Sequence, residues 1–161
     1  MKKLILIRHA KSSWKHNVID HERPLNDRGA SDVKLVAKHL IKEQFDPDLV
    51  LVSDATRTKL TAETFISTLN LDRKKVEYLH DLYDFSGYDL VRVIKACEST
   101  VDNLMVFGHN HAITSFVNTY GSKYIENVPT CGVVIMVYDI ESWSDLKQGR
   151  TVKTVFPRDL K

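Results

Sequence analysis

Short apolar runs alternate with longer amphipathic segments along most of the chain. The first run covers residues 4–7 and is followed at once by Arg8 and His9. A run this short, apolar at every position, is typical of a strand buried on both faces of a sheet. Similar runs predict further strands over residues 49–52, 76–79, 104–107, 133–138 and 152–156. The run at residues 76–79 is the weakest of these.

Apolar residues recur at helical spacing between the first four of these runs. The first such segment begins near Asn26 and Asp27, either of which can cap a helix. Its apolar positions follow the i, i+3, i+4, i+7, i+8 pattern and are Val33, Val36, Ala37, Leu40 and Ile41.

Three more helices are predicted after the next three strands. Ser53 or Asp54 can cap the first of them, and Ser86 and Gly87 open the second. Each helix has one apolar face that is expected to point into the core. These faces are Ala62, Phe65, Ile66 and Leu69 in the helix after the second strand, Leu90, Val91, Ile94 and Cys97 in the helix after the third, and Ile113, Phe116, Val117 and Tyr120 in the helix after the fourth.

Four strand–helix units in succession predict an α/β fold, with a largely parallel sheet between two layers of helices. The last two predicted strands have no helix between them, so one is expected to be antiparallel, near the C-terminus. We expect a single domain over residues 1–161 because no linker, repeat or low-complexity segment divides the chain.

The composition narrows the class of protein. The chain has 161 residues with 23 Lys plus Arg against 21 Asp plus Glu, and a net charge of +2. This balance argues against a nucleic-acid or membrane-surface partner. The apolar run after Met1 is too short for a signal-peptide core, and two cysteines form no disulfide framework. We therefore expect a cytoplasmic protein.

Residues that can do chemistry follow the predicted strands directly. In an open α/β sheet, ligands bind beyond the carboxyl ends of the parallel strands. The long segment of residues 10–27 can bring Arg23 over the same edge. The side chains that directly follow strands are Arg8 and His9 after the first, Arg57 after the second, Asp81 after the third and His109 after the fourth.

Such a cluster of arginines favours a phosphate-binding site. The sequence has neither a glycine-rich loop of the Walker type nor a set of residues with metal-ligand spacing. We therefore expect no metal and no cofactor, and a histidine as the nucleophile. His16, His21, His39 and His80 show no partner pattern and are expected to face solvent, as is His111.

Several motifs resemble those of the histidine phosphatase superfamily, which has the phosphoglycerate-mutase-like fold. Within it, the chain is similar to the small SixA-type branch of phosphohistidine phosphatases over nearly its full length. The similar motifs are Leu-Ile-Arg8-His9-Ala10, Glu22-Arg23-Pro24-Leu25 followed by Gly29, Ser53-Asp54-Ala55-Thr56-Arg57, and Phe107-Gly108-His109-Asn110.

This resemblance implies roles for individual residues. His9 matches the nucleophile that becomes phosphorylated, and Arg8 and Arg57 match the clamp on the phosphate oxygens. His109 matches the histidine that donates to the phosphoryl oxygen. Arg23 matches an extra phosphate-binding arginine of the small branch.

Three neighbouring positions complete this assignment. Asn110 belongs to the His109 turn and is included among the substrate-binding residues. Asp81 stands where the family often has a glutamate proton donor, and it could equally be a residue of the turn. Ala10 stands where glycine is commonest in the family, so the backbone there must have a negative φ or be slightly strained.

The function favoured by these residues is a metal-free phosphatase with a phosphohistidine intermediate. No long insertion lies between the third and fourth strands to roof the site. The preferred substrate is therefore phosphohistidine on a partner protein. Two alternatives stay open, a phosphatase acting on small phosphate esters and a module that binds a phosphoprotein without turnover.

Overall fold

One six-stranded sheet forms the middle layer of the computed structural model, which describes residues 1–161. The strand order is β3-β2-β4-β1-β5-β6. The strands are β1 (Lys2–Arg8), β2 (Leu49–Ser53), β3 (Val76–Leu79), β4 (Asn103–Gly108), β5 (Val133–Tyr138) and β6 (Arg150–Val155). The first four are parallel, whereas β5 runs antiparallel to both β1 and β6. The predicted sheet is confirmed, including its antiparallel strand near the C-terminus.

Helices cover both faces of this sheet. They are α1 (Asp27–His39), α2 (Thr56–Leu69), α3 (Tyr88–Lys95) and α4 (Ala112–Tyr120). The apolar faces of α1 and α2 pack on one side of the sheet, and those of α3 and α4 pack on the other. Successive residues of β1 alternate between the two cores, with Leu4 in one and Ile5 in the other. This explains why residues 4–7 are all apolar. The three-layer prediction is confirmed.

Some details of the helices differ from the predictions. The α1 helix gives way to a 3-10 turn at Leu40–Glu43, which leaves Ile41 exposed. On α3, Leu90, Val93 and Ile94 are buried at the i, i+3 and i+4 positions, whereas Val91 and Cys97 pack against the same core while only partly buried. The cap of α1 is Asn26, whose side chain accepts a hydrogen bond from the amide of Gly29.

The segment between β1 and α1 is tied down at its base. Ser12 and Leu25 form an isolated antiparallel bridge, and a 3-10 turn at Asp20–Glu22 folds the middle of the segment back toward α2. This loop therefore lies over the carboxyl edge of the sheet. No helix of the chain is both long enough and apolar enough to span a bilayer.

Candidate active site

The sheet register brings the two strand-end histidines together. Arg8 pairs with Gly108 as the last residues of β1 and β4, so His9 and His109 each follow a paired residue. Their ring centroids are 5.1 Å apart. A cleft of about 310 Å³ opens over this edge. Among the residues that line it are Arg8, His9, Lys11, Trp14, Asp20, Arg23, Arg57, Phe85 and Asn110.

The hydrogen bonds of His9 define which nitrogen can react. Its Nδ1 lies 2.7 Å from the carbonyl oxygen of Ala10, and a carbonyl can only accept. Nδ1 therefore carries the proton. The Nε of Arg57, which can only donate, lies 3.4 Å from His9 Nε2. His9 Nε2 thus holds the lone pair and is the ring nitrogen that can act as a nucleophile.

Burial keeps both histidines neutral. Burial lowers the pKa of His9 to about 3, helped by the positive charges of Arg57, Arg8 and Arg23, despite the opposing hydrogen bond to Ala10. Burial, with the proximity of His9 and Arg57, lowers the pKa of His109 to about 2. Two positive charges 5 Å apart would repel by about 3 kcal/mol at an effective dielectric constant of 20. Neutral imidazoles avoid that cost, and a neutral His9 can attack.

His109 has a buried ring nitrogen without a partner next to His9. Its Nε2 lies 2.8 Å from the hydroxyl of Ser53 and 3.3 Å from the hydroxyl of Thr58. A hydroxyl can donate to Nε2 or accept from it, but the Ser53 hydroxyl already accepts from the amide of Ala55. This favours donation from Ser53 to Nε2, which places the His109 proton on Nδ1. Nδ1 is buried and has no partner. Ser53, which was expected as a possible helix cap, instead orients this ring, and Ala55 occupies the cap position without a side-chain bond.

Arg8 leaves a second buried donor unpaired. Its Nη1 donates to the carbonyl of Val128 over 2.8 Å, which fixes the direction of the guanidinium group. Its Nε is buried and has no partner. Buried polar groups are nearly always satisfied in folded proteins, and exceptions are common at functional sites. The unpaired donors of Arg8 and His109 are the arrangement expected where an oxyanion binds.

A carboxylate that the sequence analysis did not select occupies the arginine clamp. Asp20 accepts 2.8 and 3.0 Å hydrogen bonds from Arg23 and Arg57, and the hydroxyl of Tyr83 also donates to it. Partial burial alone would raise the pKa of Asp20, but the hydrogen bonds from Tyr83, Arg23 and Arg57 outweigh it and hold the pKa well below its usual range. Asp20 is thus an anion in the place where substrate phosphate is expected.

Arg23 is held beneath an exposed tryptophan. Its guanidinium carbon lies 3.2 Å from the ring centre of Trp14, and its Nε donates to the carbonyl of Ser13. The side chain of Arg23 is buried, whereas Trp14 is 75% exposed at the mouth of the cleft. Trp14 therefore positions an arginine and also shapes the entrance.

The structure does not bring Asp81 to this cleft. Its carboxylate forms an exposed ion pair of 3.0 Å with Arg92. Both residues line a separate groove of about 470 Å³ between α3 and the edge of the sheet. The reason is local: β3 ends in a 3-10 turn at His80–Leu82, which directs Asp81 toward α3.

Asn110 and Ala10 are the remaining positions that the sequence singled out. Asn110 lines the cleft, but its amide nitrogen donates to Asn127 and its oxygen accepts from Thr114. It therefore supports the turn. Ala10 is buried and has a negative φ, and its amide donates to Thr61, so the alanine fits without backbone strain.

The neutral pair gives a direct prediction for NMR. At pH 5, the ring nitrogens of His9 and His109 are expected to show the signature of the neutral ring with the proton on Nδ1, since an exposed imidazole would already be protonated. The His9→Ala variant assigns the NMR signal of His9. A protonated ring at pH 5 would contradict the prediction.

The same two residues make a prediction for stability. Because the pKa values of His9 and His109 are lower in the folded state, the unfolded chain binds more protons. The free energy of unfolding should therefore fall as the pH decreases below about 6.5.

Comparisons with known proteins indicate the family of the chain. A sequence model of the histidine phosphatase superfamily (branch 1) matches residues 4–89. A chloroplastic protein of Arabidopsis thaliana, described as uncharacterized, is 29% identical over 153 residues, which is 89% of this chain and 70% of that protein. A Mycobacterium tuberculosis protein with the same description is 27% identical over 154 residues, 89% of this chain and 93% of that one.

Solved structures show the same fold. The protein histidine phosphatase SixA complexed with tungstate is similar with a TM-score of 0.79 and 22% identity, covering 99% of both chains. A mycobacterial glucosyl-3-phosphoglycerate phosphatase is similar with a TM-score of 0.65 and 11% identity, covering 95% of this chain and 98% of that one. The family model spans more than half of the chain and includes His9, Arg23 and Arg57. The chain therefore belongs to the histidine phosphatase superfamily, branch 1.

Proposed function

We propose that the protein is a metal-free phosphatase that acts through a phosphorylated His9. The observation that carries this is a pair of buried groups without partners, Arg8 Nε and His109 Nδ1, next to the lone pair of His9 Nε2. Arg8 lines the same cleft as His9, and the His109 ring lies 5.1 Å from the His9 ring. Arg57 and Arg23 add positive charge around them. Donors fixed in advance stabilise the charge that develops on the phosphoryl oxygens, and their arrangement costs no reorganisation during the reaction.

The reaction has two steps. In the first, the lone pair of His9 Nε2 attacks phosphorus, and the bond to the leaving group breaks with its electron pair. The ring then carries a positive charge, which the bond from Nδ1 to the Ala10 carbonyl stabilises. In the second step, a water oxygen attacks phosphorus, the bond to Nε2 breaks, and the electron pair returns to His9 while phosphate leaves.

We assign the proton transfer to Asp20 rather than to Asp81. A phosphate dianion would take over the hydrogen bonds that Arg57 and Arg23 now give to Asp20. Deprived of those donors and facing new negative charge, the carboxyl group should bind a proton more readily. It can then protonate a basic leaving group, and later accept a proton from the attacking water.

The substrate class we favour is phosphohistidine on a partner protein. The cleft is small, and exposed aromatic side chains, Trp14 and Phe85, stand at its mouth. The segment between β3 and β4 contains only one short turn and α3, so it provides no roof over the site. An open site suits a phosphate presented by a protein surface, and the likeness to the SixA fold supports the same class. A small phosphate ester is the alternative substrate.

The His9→Ala variant tests the chemistry. We expect no measurable release of phosphate from a phosphohistidine-carrying protein or from nitrophenyl phosphate, while circular dichroism shows an intact fold. The removed ring lies at a strand end, so its loss leaves both cores in place. His16→Ala, an exposed histidine on the same loop, is the matched control and should retain full activity.

The same assay separates the alternatives. A wild-type protein that binds the phosphoprotein without releasing phosphate from any substrate would identify a binding module. Turnover of small esters alone would place the substrate among metabolites. Hydrolysis by His9→Ala at the wild-type rate would contradict the covalent mechanism.

Proton transfer is tested with a series of leaving groups. Asp20→Asn should slow the hydrolysis of alkyl phosphates by roughly 10²- to 10⁴-fold, the usual contribution of a positioned acid. It should affect nitrophenyl phosphate far less, because that leaving group needs no proton. Asp81→Asn is the control and should behave as wild type throughout. A uniform loss across the series in Asp20→Asn, or a graded loss in Asp81→Asn, would refute this assignment.

A further inference from the structure

Three side chains that the proposed reaction does not use meet beside the cleft. The Nε2 of His21 lies 2.7 Å from the carboxylate of Asp54, and the Nδ1 of His80 lies 3.0 Å from the other oxygen of the same carboxylate. His80 is exposed, but His21 is only 28% exposed. His80 faces solvent as expected, whereas His21 is largely covered, and both contact Asp54, a partner that the sequence pattern did not indicate.

The sheet register explains why these residues converge. Ser53 and Leu79 are paired neighbours at the ends of β2 and β3. Asp54 and His80 follow them directly, so they emerge side by side at the carboxyl edge. His21 comes from the 3-10 turn at Asp20–Glu22, which folds back onto this edge. No sequence spacing could show this, because the three positions belong to three separate loops.

The chemistry of the three groups is that of a transition-metal site. Two imidazole nitrogens and a carboxylate oxygen lie within 4.8 Å of one another. Zinc bonds of about 2.0–2.1 Å in a tetrahedron place neighbouring ligand atoms about 3.3 Å apart. The two nitrogen–oxygen distances, 2.7 and 3.0 Å, would therefore open by a few tenths of an ångström, and the two imidazole nitrogens, now within 4.8 Å of each other, would close to about 3.3 Å. Nitrogen ligands favour Zn²⁺ over the oxygen-seeking Mg²⁺ and Ca²⁺. Three protein ligands leave one position for water.

The surroundings support a bound cation. The carboxylate of Asp54 is partly buried and is shared by the two imidazole rings, one at each oxygen. The exposed ring of His80 leaves the site open to entry from solvent. The ring of His21 packs edge-on against Tyr83, at 4.8 Å between centroids, which fixes its orientation.

We propose that His21, Asp54 and His80 bind one Zn²⁺ ion that fastens the loop between β1 and α1 to the ends of β2 and β3. His21 is adjacent to Asp20, which contacts Arg57 in the cleft. The ion would thus hold the loop that carries Asp20 and Arg23 against the strand ends. It lies outside the proposed reaction, in which no step requires a metal.

Cobalt spectroscopy tests the site without relying on activity. Co²⁺ added to the protein in a phosphate-free buffer should give visible d–d absorption that saturates at one ion per chain, and Zn²⁺ should displace it. His80→Gln should weaken binding by roughly 10-fold or more, since even indirect supports of a metal site cost that much. The matched control is His16→Gln, which removes an exposed histidine of the same loop and should bind as wild type.

A second control separates this site from the histidine pair in the cleft. His9→Ala should bind Co²⁺ normally. At a Zn²⁺ concentration 100-fold above its dissociation constant, the melting temperature of the wild type should rise by roughly 5 °C or more, and that of His80→Gln should not. No saturable Co²⁺ binding by the wild type, or binding that persists in His80→Gln and is lost in His9→Ala, would overturn the proposal.

Discussion

Two imidazole rings buried among arginines impose the main constraint on this structure. The ring centroids of His9 and His109 lie 5.1 Å apart. Burial and neighbouring positive charge lower the pKa of His9 to about 3 and that of His109 to about 2. The neutral rings must then be held by donors and acceptors that suit one tautomer. The Ala10 carbonyl and the hydroxyls of Ser53 and Thr58 do this. They leave the Nε2 lone pair of His9 facing Arg57 and the Nδ1 of His109 without a partner.

The parallel sheet makes this arrangement possible. Strands β1 and β4 end in register, and β2 lies on the other side of β4, so three separate loops deliver their side chains to one edge. The resting site contains its own anion, Asp20, which balances part of the charge of Arg57 and Arg23. In our account substrate phosphate replaces that anion, which couples phosphate binding to the proton affinity of Asp20.

The sequence predicted the parts that depend on strand ends and failed where a turn sets direction. The apolar run of β1 ends at Ile7, which predicts that Arg8 and His9 lie at the edge of the sheet, because a buried strand stays apolar until that edge is reached. Asp81 also follows a strand, yet a single 3-10 turn directs its carboxylate away from the cleft to Arg92. Asp20 lies inside a long polar loop whose path is fixed by tertiary contacts with Arg57, so no periodicity could reveal it.

The central claim is that phosphate passes through His9, and rapid-quench trapping tests it most directly. The protein is mixed with a phosphohistidine-carrying protein, quenched in alkali, where phosphohistidine survives, and mapped by peptide mass spectrometry. We predict phosphate on His9, formed and lost at rates no slower than steady-state turnover. Turnover without any phosphorylated enzyme, or phosphate found on His109 in place of His9, would contradict the account.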